Sequence, residues 1–339
     1  MLNIYTDKKY LNEEFRSLIF PLLFDLWFVK NKKIESYYKL VTNIFDADIV
    51  IVPVDISYYY KSNNTARLFN FIEKASHLQK KVWVYSAGDF GISLKKNVYT
   101  FRLGGFHSKL NEQTFVLPGH TTDPYECLQE EFEPLEKTMQ PQIGFVGNAD
   151  GSLIKYLKEF FFYLKLNIGR LARKKYCDYQ SFYPSSIKRF KYLKKIEASN
   201  FIETNFIYRK KYRAGARTED EIKKTTFEFY KNIQLNSYTF CLRGSGNFSI
   251  RFYETLAMGR IPVIIDTDIR LPLQHIIDWS KHCILVNKYN FETKLLEFHK
   301  DINEVEFKKK QQNNRELWKN YLIIENYFIQ IYLIFKNEI

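Results

Sequence analysis

Residues 237–266 read SYTFCLRGSGNFSIRFYETLAMGRIPVIID, and the order of residue types in this stretch decides the fold. Tyr238 to Leu242 is a short run of β-prone residues. Arg243-Gly244-Ser245-Gly246-Asn247 follows as a loop whose two glycines let backbone N–H groups approach a ligand closely. Asn247 or Ser249 is placed to cap a helix over Ile250 to Met258, Gly259 suits its C′ position, and Pro262 opens the strand-like run Val263-Ile264-Ile265. Strand, glycine loop, helix and strand in this order aim a helix N-terminus outward from a parallel sheet. Its free N–H groups and the positive end of its dipole attract an anion, and Arg243 and Arg251 add formal charge beside it. A diphosphate group suits that place. Arg251 and Glu254, three residues apart, share a helix face, and a carboxylate there accepts hydrogen bonds from a vicinal diol such as a ribose. The bland alternative, a solvated Arg251–Glu254 ion pair, does not account for the adjoining glycine loop.

The same residues resemble the signature of the exostosin-like glycosyltransferases: an Arg-Gly loop, then Ser, Arg-Phe, Glu, and Gly-x-x-Pro-Val. Here these are Arg243-Gly244, Ser249, Arg251-Phe252, Glu254, and Gly259-Arg260-Ile261-Pro262-Val263. The likeness extends to Leu271-Pro272-Leu273, to Ile277-Asp278-Trp279, and back to the run from Asp46 to Val54. It implies a GT-B fold, in which two α/β Rossmann-like domains face a central cleft, and an inverting transferase that uses a nucleotide sugar. The membrane anchor and second catalytic domain of animal members have no counterpart in this sequence. The expectation therefore follows bacterial-type members with a single pair of domains, which extend a capsular or lipopolysaccharide glycan.

Composition narrows the alternatives. A chain of 339 residues with 45% apolar residues buries ordinary cores and forms two or three domains. The net charge of +13 points to anionic partners. Basic clusters such as Arg173-Lys174-Lys175, Lys188-Arg189 and Lys308-Lys309-Lys310 read as solvated faces, and no nucleic-acid module accompanies them, so no nucleic-acid partner is expected. The four cysteines show no paired spacing, which speaks against a zinc or redox motif and for a reducing compartment. The opening MLNIYTDKKYL has no apolar leader. Tyr321 to Phe335 is apolar but interrupted by Glu325, Asn326 and Gln330, so a docked terminal helix is preferred over one lying on a membrane. The expected location is the cytoplasm, with peripheral contact to the inner face of the membrane as the sharper version.

Alternating patterns along the chain support α/β architecture. Leu2 to Tyr5, Ile49 to Val54 and Lys81 to Tyr85 read as strands, and Phe15 to Val29, interrupted at Pro21, and Arg67 to Gln79 as helices. The acidic stretch Asp123 to Pro141 reads as a linker, and Gln142 to Asn148 as a strand ending in a glycine loop at Gly147. Helices are expected over Lys155 to Lys175, Lys188 to Ala198 and Glu219 to Asn232, with a short strand over Asn205 to Tyr208. The expected division is an acceptor-side domain over 1–138, a nucleotide-sugar donor domain over 139–310, and a C-terminal helix over 311–339 that crosses back to the first domain.

Glycosyl transfer needs the departing diphosphate stabilised and a proton taken from the attacking hydroxyl. For the diphosphate the expected set is Arg243, Ser245, Gly246, Asn247, Ser249, Arg251, Arg209, Arg213 and Gly147, with Glu254 on the ribose. For the base, Asp89, His107, His120 and Asp123 qualify by type. Asp89 is chosen because it follows a strand within Ser86-Ala87-Gly88-Asp89-Phe90-Gly91. No cofactor or metal is expected, and UDP is the preferred nucleotide. Asp266-Thr267-Asp268 has the form of a metal-binding Asp-x-Asp pair after a strand, the basis of a metal-dependent alternative, but turns after strands favour aspartate for local reasons. The non-enzymatic rival is a basic nucleic-acid binder.

Overall fold

A computed structural model describes residues 1–337, apart from the side chain of Tyr212. The first sheet is built from β1 (Leu2–Tyr5), β2 (Tyr38–Leu40), β3 (Ile49–Ile51), β4 (Lys81–Ser86), β5 (Tyr99–Arg102) and β6 (Thr114–Val116). Its order is β2-β1-β3-β4-β5-β6, and every pairing is parallel. Helices α1 (Pro21–Phe24), α2 (Lys32–Glu35), α3 (Ile56–Lys61) and α4 (Thr65–His77) lie in the connections. Ile49, Val50 and Ile51 are completely buried, as a strand covered on both faces requires. The strand is shorter than its apolar run. Val52 still donates to the Trp83 carbonyl, but Pro53 has no N–H and the chain turns away. The helix expected over 15–29 is divided for a related reason: Pro21 starts a new helix as its first residue, and a π turn, Asp25–Val29, follows. Strands β2 and β5 had no clear sequence signal of their own.

A short helix, α5 (Pro124–Leu128), capped by Asp123, begins the passage to the second sheet. That sheet contains β7 (Gln142–Asn148), β8 (Glu203–Arg209), β9 (Tyr238–Cys241), β10 (Ile261–Ile265) and β11 (Ile284–Val286), in the order β11-β10-β9-β7-β8. It too is wholly parallel. Around it stand α6 (Leu153–Leu171), α7 (Ser185–Glu197), α8 (Glu219–Leu235), α9 (Ile250–Ala257), α10 (Phe291–Asp301) and α11 (Glu304–Leu317). The chain then makes a π turn at Trp318–Leu322 and enters α12 (Ile324–Lys336). This helix packs on the first sheet: Phe335 meets Trp83 and Tyr99 at ring separations of 4.8 Å, and the Tyr38 hydroxyl donates to the Phe328 carbonyl at 2.6 Å. Residues 338–339, the end of the expected terminal helix, lie outside the described residues.

The chain is thus α/β with two Rossmann-like domains, the GT-B arrangement. The domains are latched along one side. Phe106 bridges Ile269, the His107 N–H donates to the Asp268 carbonyl, and the Asn247 carboxamide donates to Gly105, Thr267 and Asp268 carbonyls. Nearby, buried Arg102 reaches Asp178 at 2.8 Å. The cleft opens beside this latch, at the C-terminal ends of β4, β7 and β9, where parallel sheets place their ligands.

Candidate active site

Two loops and a strand end meet at the cleft: the turn after β4 with Asp89, the last residues of β7, Gly147 and Asn148, and the loop from Leu242 to Ser249 that leads into α9. They surround a cavity of about 750 Å³, within the range of small-molecule sites. The last loop behaves as its composition implies, with Gly244, Ser245, Gly246 and Ser249 on the wall. Ser249 is the N-cap of α9, but its side chain makes no capping bond, and Asn247 does not supply one either. Neither expected cap is formed, so no side chain competes for the first-turn N–H groups.

Guanidinium groups converge on the same cavity. Arg189, Arg209, Arg213 and Arg251 all line it, joined by Lys155. Arg251 is held by its donation to the Val146 carbonyl at 2.6 Å and by stacking 4.2 Å from the Phe145 ring centroid. Arg189 donates to the Asn148 and Arg243 carbonyls at 3.0 and 3.1 Å. Arg209 is tied to Glu228 and to the Thr225 carbonyl. The Nε groups of Arg189, Arg209 and Arg251 are buried and have no hydrogen-bond partner. Burial pushes Arg189 down to about 10, and the neighbouring Arg251 charge adds to that shift. Arg251 is itself lowered, first by burial and further by Arg209. Arg189 and Arg251 are each disfavoured as cations by burial and by a neighbouring guanidinium, and an anion placed among them relieves that repulsion.

Glu254 stands in the same wall, one turn along α9 from Arg251. Burial raises its carboxyl to about 7, against the opposing pull of Arg251 and Arg213. Asp89 closes the cavity from the first domain. It lies at the rim, open to water on one side. Desolvation on the other raises its carboxyl above the usual range, while Arg243 pulls it back.

The other predicted residues stand elsewhere. Arg243 is behind the glycine loop, not in the wall. It donates to Gln180 and to the Ser245 carbonyl, both at 2.6 Å, and lies 4.5 Å from the Tyr183 ring centroid. Asn247 is fully buried and holds the domain latch. Asp123 faces another groove, where Arg315 grips it and it caps α5. His107 accepts from Arg270, and neither it nor His120 lines the cavity. Of the four candidate bases, Asp89 is the one in the wall. The Asp266 carboxylate accepts from the Asp268 N–H at 2.8 Å, forming a local turn, and Asp268 accepts from the Ser108 N–H and hydroxyl across the domains. Among the described residues no cluster of acidic, histidine or cysteine side chains is arranged to hold a metal.

Several wall residues were not anticipated. Arg189, expected with Lys188 on a solvated face, is instead half-enclosed by β7 and the glycine loop, whose carbonyls hold it. Lys155 and Glu159 enter from α6, and Phe229 and Tyr230 from α8. No spacing rule marks them as one set, because they come from three helices, α6, α7 and α8, that only the tertiary fold brings together.

Residues 180–299 match the Exostosin GT47 domain. The exostosin match begins before α7 and ends within α10, so it covers the glycine loop, α9 and most of the cavity wall, but not the first domain that carries Asp89. The matched domain is a glycosyltransferase domain. No curated protein matches the chain. Among solved structures, a glycosyltransferase from Rickettsia africae ESF-5 aligns over 98% of this chain and 97% of its own, at 13% identity and a TM-score of 0.38. HepE from Anabaena, in complex with UDP-glucose, aligns over 100% of both chains at 9% identity and a TM-score of 0.32. The pneumococcal O-GlcNAc transferase GtfA, in complex with UDP and GlcNAc, aligns over 90% of this chain at 10% identity and a TM-score of 0.34, and the chain spans 59% of its length.

Proposed function

We propose that the exostosin domain binds a nucleoside diphosphate sugar, with UDP preferred, and that the protein transfers the sugar with inversion to a hydroxyl of a glycan or lipid-linked glycan in surface polysaccharide synthesis. The observation that carries this reading is the convergence of Arg189, Arg209, Arg213 and Arg251 with the uncapped start of α9 and Glu254 in one cavity. The diphosphate would lie against the guanidiniums and first-turn N–H groups, and Glu254 would receive the ribose hydroxyls.

In the reaction the acceptor oxygen bonds to the anomeric carbon as the bond from that carbon to the phosphate oxygen breaks. The diphosphate takes the electron pair, and the acceptor proton passes to Asp89. A carboxyl raised above its usual value is a better base near neutral pH. We assign charge stabilisation of the leaving group to protein cations and to no divalent ion. Asp266 and Asp268, the metal-binding alternative, are already engaged by N–H and hydroxyl donors.

A thermal-shift panel of UDP, GDP, CMP and their sugars, with and without EDTA, tests this on wild type and Glu254→Ala. One nucleotide should stabilise the wild type, by about 2.7 kcal/mol at a hundredfold excess over Kd, with or without chelator. Glu254→Ala should weaken that binding about 10- to 100-fold, the worth of hydrogen bonds to a charged acceptor. Absence of any shift would refute the donor site, and a shift lost in EDTA would refute metal independence.

A further inference from the structure

Helix α6, LIKYLKEFFFYLKLNIGRL, has no buried residue along its 19 positions. At about 100° per residue, Leu153, Ile154, Leu157, Phe161, Ile168 and Leu171 fall within one arc of about 100°. Each of these six is at least 41% exposed, and Leu171 reaches 86%. The helix already has its partner on the other side, where Tyr156, Phe160 and Tyr163 surround the Phe182 ring at 5.3–5.5 Å. The outer stripe is therefore apolar surface beyond what folding uses, and contiguous apolar patches of this kind mark interaction sites.

Charge identifies the occupant. Exposed Lys158 and Lys165 border the stripe, and exposed Arg173, Lys174 and Lys175 follow its C-terminal end. An apolar stripe edged by lysines adsorbs to an interface that is apolar within and anionic at its surface. A second copy of the chain seated on the same stripe would bring two basic borders together. We propose that α6 is a docking helix for an anionic lipid surface, with the six apolar side chains entering the boundary between headgroups and acyl chains.

The inner side of α6 ties this surface to the cleft. Lys155, Glu159 and Phe162 line the main cavity and also a smaller one of about 270 Å³ between α6 and the segment from Gln180 to Tyr183. Docking through α6 would hold that side of the cleft at the lipid surface, where a lipid-linked acceptor is within reach. This last step rests on the transferase reading; docking itself does not.

Flotation of the full chain, without nucleotide, on vesicles of phosphatidylcholine and on vesicles that also contain phosphatidylglycerol tests the proposal. Binding should require phosphatidylglycerol and fall with salt. Leu157→Glu combined with Phe161→Glu should lower the partition coefficient at least about tenfold, and Lys158→Glu combined with Lys165→Glu should reduce the anionic preference by a similar factor. All four side chains are exposed, so melting curves should match wild type. The proposal is overturned by no flotation, by equal flotation of wild type and the Leu157/Phe161 variant, or by a solution dimer that this variant dissolves. Donor binding is read separately by thermal shift, so failure here leaves that result intact.

Discussion

Replacing Gly246 by alanine should disturb the contact between the domains, whereas the same change at Gly244 should not. A Cβ at Gly246 would stand 2.6 Å from the Phe248 ring and 3.0 Å from the carbonyl carbon of Asp89, with that carbonyl oxygen closer still. Carbon contacts are normally about 3.5–4.0 Å, so the loop after β4 and the glycine loop would have to separate by roughly 1 Å. Phe248 cannot swing aside freely, because it packs over Gly104. Overpacking of this kind costs about 1–3 kcal/mol. At Gly244 the nearest atom to an added Cβ is an Arg189 nitrogen at 3.8 Å, an ordinary contact. Neither glycine has a positive φ, so backbone strain adds nothing in either case. Urea unfolding should place Gly246→Ala about 1–3 kcal/mol below wild type, and Gly244→Ala within about 0.5 kcal/mol of it. Because the shift moves Asp89 relative to the glycine loop, turnover of Gly246→Ala should also fall by up to about a hundredfold. A Gly246→Ala protein as stable as wild type would refute the idea that this glycine exists for close approach.

Two further outcomes follow from buried charge. Arg102→Met removes donors to the Gly104 and Phe90 carbonyls, Ser93 and Asp178, a link between the domains that is 2% exposed on the Arg102 side. It should lose about 2–4 kcal/mol in urea unfolding, and a loss under about 1 kcal/mol would show that the latch does not depend on it. Asp25 is buried in the π turn, and its carboxyl is pushed up to about 6 by desolvation and by the charge of Glu325. Since its folded pKa is raised above the unfolded value, its contribution is fully present below about pH 4 and is lost as pH rises through about 6, an effect on the order of 2–3 kcal/mol. Asp25→Asn should flatten that part of the stability profile, measured as unfolding midpoints across pH 4–8; an unchanged slope would reject the assignment.

Local signals carried the second half of the fold. The run from Tyr238 to Ile265 is strand, loop, helix and strand because β-prone residues, Gly259 at φ +67° and the periodicity of α9 agree with one another. The same stretch identified Arg251 and Glu254 as neighbours, since three residues along a helix is a fixed geometry. Where the chain departs from those readings, packing overrides pattern. Strands β2 and β5 are three and four residues long, too short for alternation to show, whereas the interruption expected at Pro21 is where a new helix starts.

The site divides in the same way. Sequence by itself determined that a glycine loop opens α9, that a cation and a carboxylate share its face, and that Asp89 follows a strand. Only the tertiary structure decided which cations face the cavity. Arg189 on α7 and Arg209 at the end of β8 converge with Arg251 because β7, β8 and β9 lie side by side. Arg243 and Asn247, eight and four residues before Arg251 in the same motif, turn away into Gln180 and the domain latch. A loop residue's side chain is aimed by what it packs against, and those partners are distant in sequence. The two faces of α6 have the same origin: a helix was expected there from the sequence, but which face Phe182 covers and which stays exposed is set by the segment from Gln180 to Tyr183 folding back on it.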